Sequence, residues 1–389
     1  MKIAIMDADL LNKKRNRFPN LACMKISGFY KEHGHEVELL TDYDLVSSYD
    51  RVFISKVFTD TVVPEEVLSL PHVEYGGTGF FYDKAQRLPE EIEHHFPDYD
   101  LYSKWIEDQV VDAKNKWVAD ENDIEDFNEI GFRKKFSSYT DYSIGFTTRG
   151  CIRGCSFCVN QNYRKCSLHS PVSEFVDSNR PYIFLLDDNV LACPQWKQIF
   201  EDLNATGKRF RFHQGMDERL LTDEKCEVIF NSNWIGDFIF AFDNIKDRNI
   251  VLRKLQLIRK HTNRENIKFY CFCAYNHDEP EHYNDLFWAT DILNLFERIR
   301  ILMLFHCLPY VMRYQDYKLS PYRGMYVTLA RWCNQPSFLK KMSFREFCHE
   351  TAKHGSDSAL RYMREFELKF PEIAEEYFNM KWGDPHSFL

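Results

Sequence analysis

Ser143-Ile-Gly-Phe-Thr-Thr-Arg-Gly150-Cys151-Ile-Arg-Gly-Cys155-Ser-Phe-Cys158 joins an extended run to a glycine and then to three cysteines spaced C-x3-C-x2-C. Residues 143–147 read as a strand, and Gly150 supplies the backbone freedom a tight loop needs. Three thiolates this close can hold three irons of a cubane, leaving the fourth iron open to a small molecule. A cluster that only carries electrons takes four cysteines. Structural zinc also wants a fourth Cys or His, usually from paired C-x2-4-C elements. His169 could serve, but no second C-x2-C lies near. Three unrelated core cysteines are the plain alternative.

The spacing Cys151-x3-Cys155-x-Phe157-Cys158, with an aromatic just before the last cysteine, resembles the signature of the radical S-adenosylmethionine (SAM) superfamily. The resemblance implies that Cys151, Cys155 and Cys158 ligate a [4Fe-4S] cluster shielded by Phe157, and that SAM binds the open iron through its amino and carboxylate groups. It further implies reductive cleavage of SAM to a 5′-deoxyadenosyl radical that abstracts hydrogen from a substrate, with electrons from a donor such as flavodoxin or ferredoxin.

Working outward, apolar runs recur at residues 182–186, 209–213, 238–242, 267–274 and 300–307, separated by amphipathic stretches at 195–204, 218–231, 249–261 and 281–297. With 143–147 this makes six β–α repeats, too few for a closed eight-stranded barrel and suited to an open, partial one. Six repeats are also what the resemblance implies for a radical SAM core, placed here at residues 143–309. Functional loops of such folds gather at the carboxyl ends of the strands. Asp187, Asp188 and Asn189 end the second run and suit the ammonium of SAM, although the family often has glycines there; an ordinary Asp/Asn turn is the alternative. Gln214 and Arg219 follow the third run and suit the SAM carboxylate or ribose, with Asp217 a candidate helix cap. Asp243 follows the fourth and suits a ribose contact.

Residues 1–80 read as a smaller α/β unit. Short apolar strands lie at 2–6, 36–40, 51–55 and 72–75, and a helix at 21–33 ends at Gly34. The alternation predicts a doubly wound, Rossmann-like parallel sheet. Its position resembles the cobalamin-binding domain found in one branch of the superfamily. However, the Asp-x-His-x-x-Gly loop of that domain is absent, and Asp7-Ala-Asp9-Leu-Leu-Asn12 holds no histidine. Cobalamin is therefore not expected. Residues 81–142 read as a charged, aromatic connecting segment with a helix at 102–116, and His94 and His95 as surface residues. Residues 310–389 read as a helical cap, with Ser343-Phe-Arg-Glu346 as a capping box.

The 389-residue chain carries a net charge of −9, with 44 % hydrophobic and 28 % charged residues. That composition is globular, and the acidic balance disfavours nucleic acid as a bulk partner. No run of about eighteen apolar residues suggests a membrane span, and twelve cysteines without a secretion signal suggest reduced thiols in the cytoplasm. Cys271 and Cys273, with Cys307, read as buried small hydrophobes before a second metal site, as do Cys333 and Cys348. Cys166 is a weaker candidate for a substrate thiol. Lys13-Lys14-Arg15-Asn16-Arg17 and the Arg- and aromatic-rich stretch 313–335 suit either an anionic or stacking ligand or ordinary surface and packing roles. The substrate is expected to be a peptide or protein side chain, a small molecule or a nucleotide. Alternatives are a cobalamin-dependent methyltransferase, an RNA-modifying enzyme, and a non-catalytic iron–sulfur or zinc sensor.

Overall fold

The computed structural model describes residues 1–12, 18–160, 164–280 and 282–383; the basic stretch 13–17 lies outside them. The chain is a mixed α/β protein whose main sheets are parallel. Strands β1 (Lys2–Asp7), β2 (Glu36–Leu39), β3 (Arg51–Ser55) and β4 (Val73–Gly76) form one parallel sheet in the order β2-β1-β3-β4. Successive side chains of a strand point to opposite faces, and here both faces are covered. Ile3, Ile5, Val37 and Phe53 pack on one side, while Ala4, Met6, Val52 and Ile54 pack on the other.

The first of these cores also takes in Ile92, Tyr99, Leu101, Tyr102, Ile106, Phe136 and Tyr139. The helix Ser103–Ala119 and its flanks therefore pack on the N-terminal sheet. They also reach the next strands: the Tyr99 hydroxyl donates to the Phe175 carbonyl at 2.5 Å and accepts from the Ile144 N–H at 2.9 Å. Arg180 donates to the carbonyls of Tyr99, Tyr139 and Tyr142. At the carboxyl end of β1, Asp9 accepts from Val57 N–H and the Thr61 hydroxyl, and Asn12 donates to the Val62 carbonyl. The polar residues of that turn are used to hold its neighbours. His94 pairs with Glu90 and Glu174, and His95 with Glu32.

Six further parallel strands follow in chain order. They are β5 (Tyr142–Gly145), then β8 (Tyr182–Leu185), β9 (Arg209–Phe212), β10 (Phe238–Ala241), β11 (Ile267–Cys273) and β12 (Leu308–Arg313). A short antiparallel ladder of β6 (Thr148–Arg149) and β7 (Ser167–Leu168) interrupts them after β5. The six pair as β5-β8-β9 and β10-β11-β12, with isolated parallel bridges Phe210↔Trp234 and Met216↔Phe240 beside the junction. Helices Trp196–Ala205, Asp223–Asn231, Arg248–His261 and Asp285–Leu304 lie between the strands, and their apolar faces share the main core with Phe210, Phe212, Phe238, Phe240 and Phe269.

Two elements differ from the sequence reading. The apolar run 300–307 is not the sixth strand: it finishes the helix Asp285–Leu304, and the strand begins at Leu308. A short run apolar on all sides is ambiguous by periodicity. Here the buried set Ile292, Leu295, Phe296, Ile299 and Leu302 continues the helical spacing through it. His306 then turns the chain at φ 51°, and Cys307 N–H donates to the Leu302 carbonyl. The stretch 218–231 is likewise broken, into a 3-10 turn at Glu218–Leu220 and a helix at Asp223–Asn231 that Thr222 caps.

On β11 burial alternates strictly, so Cys271 and Cys273 point into the core together. The C-terminal region is helical, and Ser343 and Glu346 form the reciprocal capping box. Among the described residues no helix is long and apolar enough to cross a membrane.

Candidate metal centre

Cys151, Cys155 and Cys158 lie on the loop that leaves β6, all partly exposed. Gly150 and Gly154 take φ values of 93° and 60°, which bend this short span as side-chain-bearing residues rarely do. Cys158 N–H donates to the Cys155 carbonyl at 3.0 Å, closing the turn between the second and third thiols.

The residues after β8 hold this loop from below. The Asp187 carboxylate is buried and accepts from Thr147 N–H (3.1 Å), Thr148 N–H (2.6 Å) and both threonine hydroxyls (2.6 and 2.7 Å). Four donors saturate it, and burial still pushes its pKa up. Asp188 spans the loop: one oxygen accepts from Gly150 N–H at 2.8 Å and the other from the Asn160 amide at 2.5 Å. It thereby ties the residue before Cys151 to the second residue after Cys158. The buried Asn189 points its amide N–H at Cys151 Sγ, 3.4 Å away, while its buried Oδ1 has no hydrogen-bond partner among the described residues. An unmatched buried acceptor costs free energy. One lying beside a thiol of the motif is suited to a donor arriving with a ligand.

Beyond β9 an ionic network fixes the other side. Arg153, two residues past Cys151, donates to both oxygens of Asp217 at 2.5 and 3.1 Å. Arg219 donates to Asp217 at 2.8 Å and to Asp247 at 2.7 Å. Burial works against the Asp217 charge, but the two guanidinium groups hold its pKa below the ordinary value. Asp217 also caps the 3-10 turn through Arg219 N–H. Arg219 is thus committed to two carboxylates, whereas Gln214 is exposed just past β9. Glu218 is almost wholly buried, its Oε2 has no partner among the described residues, and burial pushes its pKa up to about 8. Asp243, past β10, accepts from Phe272 N–H at 3.1 Å, and burial raises its pKa to about 6. The guanidinium of Arg298 donates to the carbonyls of Phe242, Asp243 and Phe272 and fastens these strand ends together.

Phe157 packs against Phe272 (4.2 Å between ring centroids), Tyr275 (5.5 Å) and His277 (5.7 Å), an aromatic wall beside the thiols. The Cys155 thiol is pushed up by burial and then by the charges of Asp243, Cys158 and Cys151, and Cys158 by burial, Asp188 and Cys151. Thiols that repel one another as thiolates call for positive charge between them. Among the described residues no three His, Cys, Asp or Glu side chains converge as they would around one ion. Cys166 is buried, with its thiol on the Asn189 carbonyl. His169 pairs with Glu93 at 3.2 Å.

The structure therefore brings the strand-end residues Asp187, Asp188, Asn189, Asp217 and Asp243 to one loop. Sequence reasoning missed the parts played by Arg153, Asn160, Glu218 and Arg298. Arg153 and Asn160 were open to suspicion as polar residues within or just beyond the cysteine motif, but Arg298 lies in the middle of a helix more than a hundred residues away. No protein-family model matches this chain, and no curated protein matches it either.

Proposed function

We propose that this protein is a radical SAM enzyme in which Cys151, Cys155 and Cys158 hold a [4Fe-4S] cluster and the residues around Asn189 receive SAM. The observation that carries the reading is the placement of the motif. Three thiols share one loop after the first of six parallel strands that follow in chain order, with the polar ends of β8, β9 and β10 packed against it. In this reading the six strands form an open (βα)6 barrel of the radical SAM type, reaching Arg313. The four-stranded N-terminal sheet is a doubly wound, cobalamin-binding-like domain without cobalamin, residues 81–142 connect the two, and the C-terminal helices cap the barrel.

The donor set fits the group. Three cysteines with no fourth Cys or His at zinc spacing suit a cluster with one open iron better than a structural zinc ion, which takes four protein ligands. When bound, such a cluster supplies the electron for reductive cleavage of SAM, and with it the means of hydrogen abstraction from a substrate. The chain's own residues supply order. Asp188 and the Arg153–Asp217 pair set the shape of the thiol loop, and the N–H of Asn189 stabilises the Cys151 thiolate. Asn189 Oδ1 offers an acceptor suited to an ammonium group, and Phe157 with Phe272 walls one side of the thiol loop. Organic and redox chemistry of this kind belongs to the cofactor, while the protein orients it. An external electron donor and a peptide, protein or small-molecule substrate complete the proposal.

Anaerobic reconstitution with iron and sulfide tests it. The wild-type chain should bind four irons per protein and, with SAM and a reductant, release 5′-deoxyadenosine, while C155A should do neither. A chain that loads its cluster fully yet leaves SAM intact would refute the enzyme reading and leave the sensor.

A further inference from the structure

We propose that Tyr82, at the start of the segment that follows the N-terminal sheet, is a positioning residue for the thiol loop: its hydroxyl holds the span between the second and third cysteines. The side chain donates to the Phe157 carbonyl at 3.3 Å, one residue before Cys158. On the other side of the same dipeptide, the Tyr275 hydroxyl donates to Ser156 Oγ at 2.8 Å. Ser156-Phe157 is thus gripped by two phenols, one from the segment after the N-terminal sheet and one from just past β11.

The backbone shows that Tyr82 is held in place for a reason other than burial. It has φ 49° and ψ −119°, a conformation natural to glycine and strained for a tyrosine. Its side chain is nearly half exposed, so no core packing repays that strain. The preceding turn aims it. A Cβ on Gly77 would strike the Lys56 carbonyl, and one on Gly79 would strike the Phe58 carbonyl. Only glycines let the short helix Thr78–Phe81 press this closely on the end of β3, where Gly79 N–H donates to Lys56 O at 3.0 Å. The sequence Gly76-Gly77-Thr78-Gly79 is therefore legible as a device that delivers Tyr82 to the loop. The inference concerns the loop's geometry whatever the loop binds, and so stands apart from the function proposed above.

The test uses the metal-free full-length chain and residue-resolved hydrogen exchange, with Y82F and Y82G. Y82F deletes only the hydroxyl. Its melting temperature should match wild type, while the Cys158 and Val159 amides exchange about fivefold to tenfold faster, the effect of losing one ordinary hydrogen bond. Amides of β1 and β8 should keep their rates, which separates loop positioning from general loosening. Y82G also relieves the strained φ; it should melt no lower than wild type and show the same faster exchange at the loop. Unchanged exchange at Cys158 and Val159 in Y82F, or acceleration spread evenly over β1 and β8, would overturn the proposal. Alkylation by iodoacetamide gives a second reading: Cys158 should react faster in Y82F relative to Cys151, and an unchanged ratio counts against the clamp.

Discussion

Removing the Asp188 carboxylate should open the thiol loop without unfolding the protein. Asp188 makes one bond to Gly150 N–H at 2.8 Å and one to the Asn160 amide at 2.5 Å, and it is partly buried. A hydrogen bond to a charged group contributes about 1.5–3 kcal/mol. Partial exposure argues for the lower end, so D188A should cost the closed loop about 3 kcal/mol. At about 1.4 kcal/mol per factor of ten, the Gly150 amide should exchange about a hundredfold faster. D188N keeps an oxygen for Gly150 but turns an amide N–H2 toward the donor on Asn160. It should lose about half as much, a factor of about ten. The bonds are local, so the amides of β8 and β9 should exchange as before. Nuclear magnetic resonance or mass-resolved exchange on metal-free protein reads all three variants. If Gly150 exchanges at the wild-type rate in D188A, the clasp does not hold the loop, and the account of how the thiols are ordered is wrong. Iron retained after anaerobic reconstitution should fall in the same order, wild type above D188N above D188A.

Three further outcomes are expected. N189L should load iron but lose most SAM affinity by calorimetry, because it removes both the donor to Cys151 and the buried Oδ1 acceptor; full affinity would remove Asn189 from the site. R298M leaves three strand-end carbonyls without their buried donor and should cost about 3 kcal/mol or more in urea unfolding, a loss that R298K should only partly recover. Burial raises Asp7 to about 7 and Glu218 to about 8, so the folded state binds their protons more tightly than the unfolded state. Stability from these groups is full below the ordinary carboxyl range and is lost as pH rises through about 7 and 8; for Asp7 the difference amounts to about 4 kcal/mol. Urea midpoints measured across this range should fall for wild type and flatten in D7N and E218Q, and equally steep profiles would show that neither carboxyl titrates as described.

Much of the candidate site was legible because its residues are close together in the sequence. Cys151, Cys155 and Cys158 stand within eight residues, and Asp187-Asp188-Asn189 follow an obvious apolar run, so spacing and strand ends pointed to both. The roles within that set were not legible. Asp187, Asp188 and Asn189 are adjacent and all polar, yet they differ completely in place: one is saturated by threonines, one clasps the loop, and one faces a thiol. Which way each side chain points depends on how the end of β8 meets the thiol loop, and no pattern of residue types records that. The sixth strand was misplaced for a related reason. An evenly apolar run carries no period, and only packing against the core decided that 300–304 continues a helix.

Taken alone, the sequence determined which residue types cluster along the chain: the thiol motif and the alternation of strands and helices. These depend on neighbours a few residues apart, where spacing translates directly into geometry. Tertiary structure decided how distant pieces meet. It set Arg153 against Asp217, Arg298 beneath the ends of β10 and β11, and Tyr82 of the connecting segment against Phe157. Such contacts arise from the packing of whole sheets, which brings together side chains whose separation in sequence says nothing of their distance in space.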